Sequence, residues 1–216
     1  MIKALSLAEH EILTQKRVSL VTETENLTDE DLMLQFQKGD EACFRTLVDR
    51  HKQRVFNLTY RFLNGSSDAE DLAQEIFMKI YFSKDTYKPL AKFTTWLFTI
   101  TRNACFQCLK KKGNMVSLNE KAGESKEELL SMVTDRRSEN PSETCLEEEK
   151  SKIIADAVAK LPETQRMVIL LRRFEQLSYE EIAEVLGVTV QSVKSLLFRG
   201  RCSLKELLKE YFNENI

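Results

Sequence analysis

Apolar residues in this 216-residue chain recur every three to four positions, the spacing that lines one face of a helix, and rarely alternate as a half-buried strand would. Between residues 28 and 112 the pattern predicts four helices. Thr28 followed by Asp31 marks a start, and Leu32, Phe36, Phe44, Leu47 and Val48 carry a stripe across a break at Lys38-Gly39-Asp40. A second helix over residues 53–63 offers Val55, Leu58, Tyr60 and Phe62 as apolar surface and stops at Asn64-Gly65. Ser67 is placed to cap a third over 68–82, with Leu72, Ile76, Phe77 and Ile80 on its buried side. A loop around Pro89 leads to a fourth over 93–112, which closes on Lys110-Lys111-Lys112.

The pattern then lapses. Residues 113–145 are rich in Ser, Glu, Asn and Lys, and read as a flexible linker with a short helix near 127–132. Residues 146–216 resume the helical period. Leu161-Pro162-Glu163 opens a helix whose buried face is Met167, Val168, Leu170 and Leu171, with proline in the first turn. The expectation is an all-α protein of two small helical domains, 28–112 and 146–216, behind an extension of residues 1–27.

The segment LSYEEIAEVLGVTVQSVKSLLFRGR, residues 177–201, is the most informative. Ser178 and Glu181 have capping-box spacing, and Gly187 falls where a tight turn needs positive φ. Thr189 can cap a second helix with Val193, Leu196 and Leu197 inward. Val190, Gln191, Lys194, Ser195 and Arg199 are left outward. Such a face is what the DNA major groove accepts, although a solvated helical hairpin would show the same pattern.

Composition narrows the function classes. The formal net charge is −2, so contact with nucleic acid must come from local basic patches. No apolar run approaches the ~20 residues that span a bilayer, and His10 and Glu11 interrupt any signal-peptide core, which predicts a cytoplasmic protein without membrane insertion. Five scattered cysteines do not suggest a disulfide framework. No phosphate loop, Ser/His/Asp set or metal-carboxylate cluster appears, so no catalytic residue, metal or cofactor is expected.

Two further stretches carry candidate contacts. In the third helix Asp68, Asp71 and Glu75 share one face and, with Glu70, load its first turns with negative charge. The face is either solvated or a dock for a basic partner helix. In the fourth, Trp96, Leu97, Ile100 and Phe106 read as core, while Thr94, Thr95, Arg102 and Asn103 read as exposed polar contacts. Tyr87, Lys88 and Lys92 in the preceding loop suit base and backbone contacts with single-stranded nucleic acid. Cys105 and Cys108 form a lone CxxC. It lacks further metal ligands, since the only histidines are His10 and His51, and buried cysteines usually pack as small apolar groups.

Together these motifs resemble a bacterial RNA polymerase sigma factor of the sigma-70 family, extracytoplasmic-function (ECF) type. DAEDLAQEIF followed by KFTTWLFTITRNAC looks like region two, and LPETQRMVILLRRFEQLSYEEIAEVLGVTVQSVKSLLFRGR like region four. The resemblance implies that Asp68, Glu70, Asp71, Gln74 and Glu75 face the β′ coiled coil of core RNA polymerase, and that the β flap is a further contact. It implies that Tyr87, Lys88, Lys92, Thr94, Thr95, Arg102 and Asn103 melt the minus-ten element and hold its strand with a base flipped out. Thr189, Val190, Gln191, Ser192, Lys194, Ser195 and Arg199 would read the minus-thirty-five element. Promoter DNA and an anti-sigma factor are the implied partners; no small-molecule substrate is.

Two departures from the family pattern stand out. Leu196 occupies a position often held by arginine, and Gly200 one often held by alanine. The missing cation at Leu196, with the balanced charge of the C-terminal block, implies weak, salt-sensitive DNA binding by the free chain. A stand-alone helix-turn-helix regulator is the alternative function. A thiol-redox enzyme built on Cys105 and Cys108 is a more distant one.

Overall fold

A computed structural model describes residues 26–116 and 141–213. Most of the extension, most of the linker and the short helix expected near 127–132 lie outside them. Among the described residues the chain is all helix. The elements are α1 (Asp29–Gln37), α2 (Glu41–Phe62), α3 (Asp68–Phe82), a 3-10 turn (Lys84–Thr86), α4 (Phe93–Val116), α5 (Pro141–Ala159), α6 (Glu163–Arg173), α7 (Tyr179–Leu186) and α8 (Val190–Asn213).

Local chemistry sets most of the boundaries. Thr28 caps α1 by accepting from the Asp31 N–H at 3.2 Å. Asp40 caps α2 by accepting from Ala42 N–H at 2.9 Å, and the helix then runs unbroken past residue 53, where a separate helix was expected to begin. Its polar stretch at Asp49–Gln53 holds no helix breaker. His51 within it turns inward, 4% exposed, to meet Asp29 Oδ2 at 2.7 Å. Asn64 (φ 54°) and Gly65 (φ 74°) end α2, with Gly65 N–H donating to Tyr60 O at 2.9 Å.

Four boundary details differ from expectation. Ser67 makes no capping bond, because its own backbone is already helical; Ser66 Oγ receives the Asp68 N–H instead, at 3.4 Å. α4 does not stop at its lysines but continues through Gly113 to Val116. α5 already begins at Pro141, so the expected linker is helical at both ends. Pro162 stands at the N-cap of α6 rather than inside its first turn.

Phe36, Phe62, Phe93 and Phe98 are fully buried with Leu32, Met33, Leu47, Leu58, Ile76 and Ile80, each side chain contributing roughly 1.5–3 kcal/mol by leaving water. Met167, Val168, Leu171, Ile182, Val185, Val193 and Leu197 form the C-terminal core, and the two cores join into one cluster. Polar contacts cross the seam. Arg166 donates to Phe62 O at 2.8 Å and, on its own side, to Ala159 O and to Leu161 O at 3.1 Å. Asn64 Nδ2 meets Asp156 Oδ1 at 3.4 Å, and α7 lies along α4.

Candidate nucleic-acid and protein interfaces

The turn between α7 and α8 is built by its caps. Ser178 Oγ accepts from the Glu181 N–H at 3.1 Å while Glu181 Oε2 accepts from the Ser178 N–H at 2.7 Å, a complete capping box. Gly187 closes α7 at φ 67°, a conformation that favours glycine. Thr189 Oγ1 then accepts from the Ser192 N–H at 3.2 Å. Val193 and Leu197 are buried and Leu196 is half-buried.

Thr189, Gln191, Ser192, Lys194, Ser195 and Arg199 are all exposed, a polar surface with two cations. Val190 does not share it, since it is half-buried against the core. Gly200 faces α6. A Cβ there would stand 2.7 Å from Ile169 Cδ1, so the glycine lets the two helices approach closely.

α3 presents two surfaces. Asp71 and Glu75 are exposed, with Glu75 paired to Lys79 at 3.0 Å. Asp68 is half-buried and pairs with Lys112 from α4, which holds its carboxyl below the usual aspartate range. Around the helix from these acids, Phe44, Val48, Phe56, Phe77, Met78, Tyr81 and Phe82 line a groove of about 820 Å³ between α2 and α3, with Glu70 and Gln74 on its wall. Phe82 is 76% exposed and Met78 58%, unusually open for large apolar side chains.

Phe77, expected on the buried side, is a groove residue and only partly covered. The groove was missed in the sequence reading. Its signal was the width of the apolar arc on α3, where Phe77, Met78, Tyr81 and Phe82 add a second stripe beside Leu72, Ile76 and Ile80.

The candidate single-strand face on α4 is divided. Lys88, Lys92 and Asn103 are exposed and Thr94 half-buried. Tyr87 (3% exposed) and Thr95 (4%) are buried, against the expectation that Thr95 is an exposed contact. Tyr87 packs edge-on to Trp96 at 5.2 Å and against Phe93 at 6.0 Å, and burial pushes its hydroxyl up to about 12. Trp96 thus joins the core as expected.

Arg102 is half-buried, and two of its nitrogens donate to Val185 O at the end of α7, at 2.9 and 3.2 Å. Lys92 Nζ reaches Glu181 Oε1 at 2.8 Å. That cation and the Ser178 cap hold Glu181 below the usual glutamate range.

Cys105 is fully buried, and burial pushes its thiol above the usual cysteine range. Cys108 is half-buried and its thiol is likewise raised by burial. Among the described residues no group of three or more His, Cys, Asp and Glu side chains is placed to hold a metal ion, and no helix is long and apolar enough to cross a membrane.

Comparison with known proteins matches both halves of the chain. The family model for Sigma-70 region 2 covers residues 47–114, and that for Sigma-70, region 4 covers residues 151–204. The chain is 34% identical over 178 residues to the ECF RNA polymerase sigma factor SigW of Bacillus subtilis, spanning 82% of this chain and 94% of that one. It is 35% identical over 178 residues to the ECF RNA polymerase sigma-E factor of Escherichia coli K12, spanning 82% and 93%. Two solved structures superpose with a TM-score of 0.61. One is CnrH in complex with the cytosolic domain of CnrY, at 25% identity over 84% of this chain and 97% of that one. The other is the sigma factor RpoE with the anti-sigma factor NepR from Bartonella quintana, at 26% identity over 77% and 96%.

Proposed function

Because this chain belongs to the ECF sigma factors of the sigma-70 family, we propose that it directs core RNA polymerase to a set of promoters and helps open them. The family consists of initiation factors, and the chemistry of RNA synthesis stays with the polymerase. The observation that carries the reading is the capped helix-turn-helix, with Gln191, Ser192, Lys194, Ser195 and Arg199 exposed on one helix, in the same chain as the acidic helix α3.

In this reading α8 enters the major groove of the minus-thirty-five element. The acids of α3 meet a basic coiled-coil partner on polymerase, where opposite charge speeds and orients docking. Lys88, Lys92, Thr94, Arg102 and Asn103 take the phosphates and polar edges of the melted minus-ten strand. Tyr87 and Thr95 support that face from beneath, given their burial. Both superposed proteins are held by a second protein, named an anti-sigma factor in the Bartonella quintana complex, which supports an anti-sigma partner here.

Run-off transcription with core polymerase on pooled genomic fragments tests the proposal. New discrete start sites are expected with the wild-type chain. Asp71→Lys combined with Glu75→Lys is expected to give none and to lose polymerase binding while keeping its fold, since both acids are exposed. A wild-type chain that produces no start sites, or a double variant that still binds polymerase, refutes the corresponding part.

A further inference from the structure

The groove between α2 and α3 has no cover among the described residues. Phe82 (76% exposed) and Met78 (58%) line it beside Phe77 and Tyr81. An apolar surface this open calls for an apolar occupant.

The chain carries a segment placed to supply one. Residues 1–25 precede the described fold and join it near Leu27, which packs against the core and whose carbonyl accepts from Arg50 Nη1 at 2.9 Å. Arg50 also bonds Asp29 Oδ1 at 2.9 Å, so the start of α1 is pinned to α2. That helix lends Phe44, Val48 and Phe56 to the groove, so the segment enters the fold on one of the groove's own walls.

At helical spacing Ile2, Leu5, Ile12 and Leu13 fall within about 100° of arc, a narrow apolar stripe. Glu9 lies inside that arc. Its counter-charge on the groove is Lys52, whose pair with Asp49 is exposed on both sides and therefore weak. Residues 14–25 are left as a tether. Fully extended they span about 40 Å, more than the roughly 33 Å length of α2, so residues 2–13 can reach every part of the groove. A tether of this kind holds the segment at an effective concentration of about a millimolar, which a second copy of the chain does not match at ordinary protein concentrations.

We propose that residues 2–13 wind as an amphipathic helix into the α2–α3 groove, with Ile2, Leu5, Ile12 and Leu13 against Phe77, Met78, Tyr81 and Phe82. Of the acids on α3, Glu70 borders the docked segment, while Asp71 and Glu75 lie outside the groove lining and stay uncovered. The docking depends on no promoter or polymerase role.

The test uses the full chain with the photo-cross-linking residue p-benzoylphenylalanine in place of Phe82 and, in a second preparation, in place of Met78. Both side chains are exposed, so the fold tolerates the change. Unlabelled and 15N-labelled chains are mixed in equal amounts before irradiation, and the products are mapped by tryptic mass spectrometry. The expected adduct joins the probe to the peptide of residues 4–16 within the same chain, at a yield independent of protein concentration. It is expected to be lost when Leu5→Asp and Ile12→Asp are added, changes that leave every groove residue in place.

Mixed-isotope adducts assign the groove to a second copy and overturn the proposal. So do adducts confined to residues 117–140, an adduct that persists in the Leu5→Asp, Ile12→Asp variant, or no adduct from either probe. Run-off transcription reads separately: a chain that gives the expected adduct but never supports transcription keeps the docking and loses the promoter role.

Discussion

On α8, Gln191, Lys194, Ser195 and Arg199 are exposed, whereas on α4 and the turn before it Arg102 and Lys92 are engaged by Val185 and Glu181. The two faces look alike in sequence, as cations and small polar groups beside an apolar stripe. They differ because one belongs to the outer helix of the C-terminal half and the other lies where the two halves meet. Periodicity identifies which side chains point away from their own core. It is blind to what a distant segment lays on top of them.

The largest effect on this contrast should come from the seam. Arg166→Ala removes the donor to the carbonyls of Phe62, Ala159 and Leu161, and stranded acceptors cost about 1–3 kcal/mol each when they stay buried. Stability measured by urea unfolding is expected to fall by about 2–4 kcal/mol. An unchanged midpoint would mean that the halves are not held together at this point.

The next effect belongs to the exposed face. Lys194→Ala with Arg199→Ala should reduce run-off transcription from promoters that need the upstream element by tenfold or more, and lower the salt dependence of that activity by about two in slope. Stability should stay within ~0.5 kcal/mol of wild type. Full activity of the double variant would remove the reading-face assignment and the contrast with α4.

Acid pH probes the covered face. Glu181 is held low by Lys92 and the Ser178 N–H, so its contribution is complete above the ordinary glutamate range and is lost as pH falls through its lowered value. Glu175 runs the other way. Burial raises it against the pull of Arg54, so its protonated form is the one the folded state favours, and that contribution fades as pH rises through the raised value. The melting-temperature difference between wild type and Glu181→Gln is expected to be present at pH 7 and to shrink toward zero in acid. A difference that persists below the carboxylate range would assign it to packing rather than charge.

Gly200→Ala should do least. Alanine gains about 1 kcal/mol of helix propensity and must displace only the flexible end of Ile169, so stability is expected to stay within about 1 kcal/mol of wild type. A larger loss would show that the α6–α8 approach positions the reading face more rigidly than its core contacts suggest.

What could be read from sequence follows the range of the forces involved. Ser178, Glu181, Gly187 and Thr189 act within three residues of their partners, and all four sit in the structure as their spacing indicates. The span of α3 was legible for the same reason. The continuity of α2 was not, because the polar turn at Asp49–Gln53 resembles a break until His51 finds Asp29, 22 residues away. The burial of Tyr87 and Thr95 depends on packing that their own neighbourhood does not encode. The groove was hidden because Phe44, Phe56 and Phe77 look like ordinary core until the covering element proves to be missing among the described residues.

Glu181 divides its two carboxylate oxygens between two tasks, Oε2 closing the cap on Ser178 and Oε1 holding Lys92. The two tasks differ in what they tolerate. Glutamine keeps a cap-competent oxygen and gives up the charge, while aspartate is a methylene too short for either task. A Glu181→Gln variant would therefore loosen the contact between α4 and α7 while leaving the cap of α7 in place.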